Sequence, residues 1–406
     1  MSRAREVSKV FSSDTSLVTI SELNSALQNV TVDLSGYATI NQLSASVGNI
    51  NLSEYATKAQ LSASVGNIDV SSSLDSRIYI SSASPSTPQN GQIWINTSTA
   101  SAPFIQTYGS GSFRMPRFAA IKASGGTVTN YGVYTVHTFL SSSNFIANQD
   151  LSIEYLVVGG GGAGGDDIGG GGGAGGVLQG SKNITTGTWP VVVGAGGAAS
   201  TGTEGTGRGN DGNNTSVFDL IAFKGGAGGG EGQGAGNGGA GSYGSGGGAG
   251  YNVASGGAGT VGQGNDGGSI GTTGHCAGGG GAGGAGLVGL NSGNGGPGVL
   301  SNIDGLNYYY GGGGGGNTYG GTQSGNGGIG GGGGASTVSN VASTGAGTGG
   351  GSGRNPGGSG IHAGGKGGDG GSNTGGGGGG SKETNSGQFS TSGAGGSGIV
   401  IIRYLT

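Results

Sequence analysis

The sequence predicts a mainly β, glycine-rich protein: short N-terminal coiled-coil helices, a β-hairpin module, a β domain and a polyglycine-II helix array. Three observations predict it. Only nine of the 112 glycines fall in the first 150 residues, which leaves 103 for the remainder; an average protein holds about 7% glycine. An 18-residue repeat precedes that glycine-rich half. Two apolar, β-branched runs, Leu151–Val158 and Ile399–Leu405, bracket it.

The first 16 residues carry Arg3, Arg5 and Lys9 with no apolar run behind them, so no signal peptide is expected. Residues 17–70 hold the repeat. The stretch from Asp33 to Ile50 recurs from Asn51 to Ile68, after a weaker first copy. Each copy opens with a Thr-x-x-Glu/Gln capping box: Thr19 with Glu22, Thr39 with Gln42, Thr57 with Gln60. The threonine hydroxyl accepts from the third helical N–H while the Glu or Gln reaches back. Apolar residues follow at a 3–4–3 spacing: Ile20, Leu23, Leu27 and Val30; Ile40, Leu43, Val47 and Ile50; then Leu61, Val65 and Ile68, with Lys58 in the first place. Helices near 12 residues are marginal alone, so this seam needs partners. Parallel self-association fits successive short seams better than a local helical hairpin does. Dimer and trimer both remain open on these residues.

Residues 71–118 read as a small β-hairpin module, with Gly91–Asn96 alternating and Phe104–Tyr108 following before a Gly-Ser turn. Residues 119–224 read as a β-sandwich-like domain. Its strands are Tyr131–Leu140, Leu151–Val158, Trp189–Val193 and Val217–Phe223, and Pro190 implies an edge position. Residues 399–406 form a closing strand, apolar on both faces and expected to pair with Ile153–Val158.

Residues 225–398 are the glycine-rich tip. Collagen is excluded, because a strict Gly-X-Y period is absent and there are only seven prolines in the chain. A flexible linker would not carry interspersed Val, Ile and Tyr. Extended three-per-turn helices can instead bond laterally wherever nothing larger than hydrogen stands on the shared faces. A helix buried on all sides then needs unbroken glycine, as in Gly311–Gly316 and Gly375–Gly380. Gly225–Gly230, with Ala227, is the expected edge pattern. Large side chains should collect at the joints: Tyr243, Tyr251, His275-Cys276, Tyr308-Tyr309-Tyr310, Tyr319, Arg354 and His362. Aromatic groups on a rigid scaffold suit recognition; gap-filling between helices is the competing role.

A net charge of −4 with 8% charged residues argues against nucleic acid. No stretch approaches the ~20 apolar residues of a membrane span. Cys276 is the single cysteine, so no intrachain disulfide forms. Gly-x-Gly-x-x-Gly matches arise by chance in such text, and Gly365-Lys366-Gly367 fails as a phosphate loop. His137, His275 and His362 have no carboxylate or cysteine at ligand spacing. Asp166-Asp167 and the Gly-x-Gly-Asn-Asp-Gly turns at 207–212 and 262–267 read as polar turns, with a bound cation left open. Neither a catalytic residue nor a cofactor or metal site is expected.

The run Tyr155-Leu-Val-Val-Gly-Gly-Gly-Gly-Ala-Gly-Gly165, closed by Gly395-Gly-Ser-Gly-Ile-Val-Ile-Ile-Arg-Tyr404, resembles the glycine-rich domain of phage tail-fibre and adhesin proteins. Tyr134–Phe139 with Ser141–Phe145 fits the β lead-in of that domain. Ser84–Asn96 resembles short modules of phage fibres, and the Asp/Asn-Leu-Ser-x-Tyr-Ala-Thr repeats resemble trimeric shafts. The resemblance implies a virion protein of the tail fibre, a homotrimer whose residues 1–16 attach it to a tail or baseplate protein. It also implies tip loops that bind a host surface polysaccharide or outer-membrane protein, without membrane insertion. Two other readings are a virion spacer that touches no receptor and a polysaccharide depolymerase.

Overall fold

A computed structural model describes residues 78–81, 86–87, 93–96, 104–109, 112–114 and 121–406. Within the last range it leaves out 202–206, 233, 236–241, 272–274, 290–292, 319–322, 338–344, 352–353, 363–364 and 383–389. The arm at 1–16, the repeats at 17–70 with all their seam residues, and Tyr319 lie outside the described residues. The fold is mainly β, and no helix occurs among the described residues.

The chain divides into two units at Ala120. In the first, β1 (Ile78–Ser81), β2 (Ile93–Asn96), β3 (Phe104–Gly109) and β4 (Ser112–Arg114) form one sheet in that order. The expected hairpin is β2–β3, antiparallel with Ile93 opposite Thr107. A parallel β1 and the short return β4 extend it, and Trp94 is buried.

The second unit contains β5 (Ala123–Ser124), β6 (Thr127–Tyr131), β7 (Tyr134–Phe139), β8 (Ser143–Ala147), β9 (Leu151–Val158) and β10 (Val177–Ile184). It continues with β11 (Gly187–Val192), β12 (Thr215–Val217), β13 (Leu220–Ala222), β14 (Val299–Ser301), β15 (Tyr308–Tyr310) and β16 (Ile399–Leu405). Two five-stranded sheets, β10-β9-β16-β7-β6 and β13-β12-β11-β8-β5, share a core. Phe139, Ile153, Val157 and Ile402 from the first sheet meet Phe145, Val191 and Val217 from the second. The hairpin β14–β15 covers the outer face of the first sheet, where Leu156, Val158, Ile399 and Ile401 pack on Ile303 and Tyr310. The closing strand therefore buries both its faces, and each such aliphatic side chain contributes about 1.5–3 kcal/mol. As its sequence predicts, β16 pairs with β9, from Ile399 opposite Val158 to Arg403 opposite Glu154.

Two expectations about strands need correction. Val217–Phe223 is a tight hairpin rather than one strand: Val217 pairs with Leu220 across Phe218-Asp219, and Phe218 takes a φ of 59°. β11 lies inside its sheet rather than at an edge. It tolerates Pro190 because β12 reaches only Val191 and Val192, so Pro190 has a partner strand on one side alone.

Glycine tracts leave and re-enter this β platform repeatedly. β9 runs into Gly159, β11 into Gly194, β13 through Phe223-Lys224 into Gly225, and β15 into Gly311; other tracts return into β10, β12, β14 and β16. Tracts thus begin at Gly159, inside residues 119–224, the span of the expected β domain. Their backbone amides bond sideways with a period of three. Gly160, Gly161 and Gly162 donate to Asn213, Gly396 and Gly173; Ala163, Gly164 and Gly165 donate to Asn210, Gly393 and Gly170. Each partner segment is thus met again three residues later, three residues further back along itself. Gly313 and Gly316 likewise donate to Gly296 and Gly293, while Gly312 and Gly315 keep the same period but run forward along their partner, to Gly330 and Gly333.

Side chains have no room on these shared faces. A Cβ on Gly314 would stand 2.0 Å from the Gly378 carbonyl oxygen, and one on Gly377 2.0 Å from that of Gly172. The unbroken runs Gly311–Gly316 and Gly375–Gly380 are wholly buried. Gly225–Gly230 is buried too, with Ala227 fully inaccessible, so it is not the edge segment its alanine suggested.

Candidate recognition surface

Every tract has an end at the platform and an end away from it, and the joint residues divide between the two. The distal end is defined by the turn Asp166-Asp167-Ile168, which joins the tract leaving β9 to the one entering β10. Asp167 and Ile168 hold φ values of 48° and 59° to make that reversal. The Ile168 carbonyl accepts from the Tyr251 N–H at 3.1 Å and from the Cys276 thiol, and the Asp167 carbonyl accepts from the Glu231 N–H. Tyr251 and His275 are thereby brought to one turn.

A row of contacts continues from there. His275 Nδ1 lies 2.8 Å from the Thr318 hydroxyl. Neighbouring Asn317 donates through Nδ2 to the Ser336 carbonyl at 2.7 Å, and Thr337 pairs with His362. Tyr251 and His275 are half-buried; Glu231 and His362 are exposed. Asn317, Ser336 and Thr337 are buried beneath the row. Cys276 is fully buried, and burial pushes its thiol pKa far up, which keeps it protonated and inert.

The remaining candidates among the described residues sit at the platform end. Tyr308–Tyr310, expected as a loop, is strand β15. Tyr310 is fully buried, its hydroxyl accepts from Arg354 Nε at 3.1 Å, and burial pushes its pKa up to about 12. Arg354 also pairs with Asp304 and lies over the Tyr308 ring at 5.3 Å. This group fastens the β14–β15 hairpin to the glycine tracts; Tyr309, half-buried, pairs with Leu300. Tyr243 donates to Asp211 at 2.8 Å. Burial raises the pKa of Asp211, but Tyr243, the Ala227 N–H, Arg208 and Lys224 together outweigh it and hold the carboxyl below its usual range.

Asp211 and Asp266, the aspartates of the two Asn-Asp-Gly turns, both accept backbone amides of neighbouring tracts, from Ala227 and Gly259. They stand in for a carbonyl where the lateral ladder lacks one. Among the described residues, no three His, Cys, Asp or Glu side chains gather as a metal-ligand set.

A family model described as a glycine-rich domain matches residues 138–371, more than half of the chain. The chain belongs to this glycine-rich domain family. The matched span runs from inside β7 through β9, the distal turn and most of the tracts, so the glycine-rich domain includes the platform strands as well as the tracts they carry. No curated protein matches the chain.

Sequence reasoning picked out Tyr251, His275 and His362 but missed Ile168, Thr318 and Thr337, which tie them together. The available signal was position: Asn317-Thr318 follows Gly311–Gly316 directly and Ser336-Thr337 follows Gly330–Gly334 after one alanine, where the first bulky polar residues mark a tract end.

Proposed function

We propose that the chain is a phage tail-fibre adhesin that attaches the virion non-covalently to a receptor on a bacterial surface. Its glycine tracts are polyglycine-II helices, each bonded laterally to its neighbours. The three-residue alternation of hydrogen-bond partners supports this reading, since three residues per turn is the period of such a helix. At about 3.1 Å per residue, the tract from Gly159 carries the Asp166 turn roughly 20 Å from the sandwich.

The observation that carries the functional reading is the row from Tyr251 through His275 and Thr318 to His362, held at the end of the tracts opposite the sandwich. A stiff body that presents aromatic and imidazole groups loses little entropy on binding. The helical repeats form a homotrimeric shaft, and the N-terminal arm fixes it to the tail or baseplate.

Binding of the fluorescently labelled full chain to a panel of bacteria tests this. At least one strain should bind it, and Tyr251→Ala with His362→Ala should lower that binding tenfold or more. A Tyr309→Ala control at the platform end should leave it within twofold. Absence of binding across the panel, or equal loss in the control, would overturn the proposal in favour of a spacer.

A further inference from the structure

A cleft of about 450 Å³ opens on the outer face of the first sheet, between the edge strand β10 and the β14–β15 hairpin. That volume is in the range of small-ligand sites, about 300–1,000 Å³. It lies at the platform, away from the distal row, and the attachment reading makes no use of it.

The strand registers explain which groups meet there. Ser181 stands opposite Glu154 and Gln179 opposite Leu156, so Glu154, Gln179 and Ser181 share one face. Ser301 and Asn302 form the facing wall. Gly180 stands opposite Tyr155, and a Cβ there would lie 2.9 Å from the Tyr155 hydroxyl. That pair lies on the opposite face, where Tyr155 packs against the core between the sheets, so the phenol is not among the groups that line the cleft.

The charges in the cleft are already matched. Arg403 donates through Nε and Nη2 to a single oxygen of Glu154, at 3.1 and 2.6 Å. Its Nη1 donates to the Asn302 and Ile303 carbonyls at 3.3 and 3.2 Å, and its guanidinium lies over the Tyr134 ring at 4.4 Å. Four of the five guanidinium N–H groups are thus used, while Oε1 of Glu154 is left to accept. The side chains of Gln179, Ser181, Ser301 and Asn302 make no hydrogen bond within the described residues. Polar side chains among the tracts are used differently: Asp211, Asn265 and Asn326 all bond neighbouring backbone.

We infer that this cleft binds a neutral saccharide. Two carboxamides, two hydroxyls and one free carboxylate oxygen supply donors and acceptors in the mixture that sugar hydroxyls require. The internal Glu154–Arg403 pair leaves no unmatched charge for an anionic ligand. The cleft lacks an exposed aliphatic floor that would favour an apolar one.

The test applies the full chain to a printed array of neutral and acidic oligosaccharides, then titrates the strongest binder by calorimetry. Neutral glycans should bind, and Gln179→Ala and Asn302→Ala should each weaken binding at least tenfold with the melting temperature unchanged. Tyr251→Ala and His362→Ala should leave glycan affinity within twofold, which separates this site from the distal row. Absence of neutral-glycan binding, preference for acidic glycans, or unchanged affinity in both cleft variants would each overturn the inference.

Discussion

His137 shows how one polar residue is accommodated in the sandwich core. Its ring is fully buried, edge-on to Phe145 at 5.1 Å between centroids. Nδ1 lies 2.7 Å from the Gly125 carbonyl, which can only accept, so Nδ1 carries the proton and Nε2 accepts from the Tyr404 hydroxyl at 3.1 Å. Burial lowers its pKa, against the opposing pull of the Gly125 carbonyl. The unfolded chain therefore takes up a proton near pH 6.5, the ordinary value for histidine, where the folded chain does not. Stability from this group is complete above that pH and declines as pH falls below it, by up to ~1.4 kcal/mol per pH unit until the folded pKa is reached. Denaturant unfolding at pH 7.5 and 5.5 should show a larger loss in the native chain than in His137→Gln. An equal loss in both would contradict the neutral, doubly bonded imidazole.

Among the elements, the two bracketing strands were legible because side-chain patterning decides them. Ile399–Ile402 are apolar at every position, and only a strand covered on both faces has a use for that. Phe218 was not legible, since a φ of 59° at an aromatic residue follows no local rule and is imposed by the packing of β12 against β13. The glycine-rich domain was legible as such, but not its interleaving with strands. Between Gly159 and Lys224 the tracts alternate with β10 to β13, and the averaged composition hides the alternation. The joints were expected to hold large side chains, yet no residue states which end of the array it occupies. Tyr308–Tyr310 returned to the platform, while Tyr251 stayed distal. That depends on how many tracts intervene between strands, a count that Gly-rich text does not punctuate.

The tracts also make the clearest prediction at this scale. Gly314→Ala drives a methyl group into the Gly378 carbonyl and should cost at least about 1–3 kcal/mol. Gly351→Ala, at an exposed position with nothing within 4 Å, should be neutral or slightly stabilising. Melting temperatures of the two variants check the pair; similar values would mean that position within a tract does not matter.

For the whole molecule, the balance is between entropy and lateral bonding. Fixing each backbone residue costs about 1–2 kcal/mol, and glycine loses more freedom than any other residue. Each lateral hydrogen bond returns only about 0.5–1.5 kcal/mol net, so the tracts hold only if they form together on the platform that starts them. The same cooperativity would make the distal row stiff, which is what an adhesin needs and a tether does not. Hydrogen–deuterium exchange of the full chain tests this most directly. The account predicts strong protection at Gly160–Gly165, Gly169–Gly176, Gly311–Gly316 and Gly375–Gly380, comparable to that of β9 and β16. Exchange at unstructured-chain rates in those runs, with β9 and β16 still protected, would contradict it.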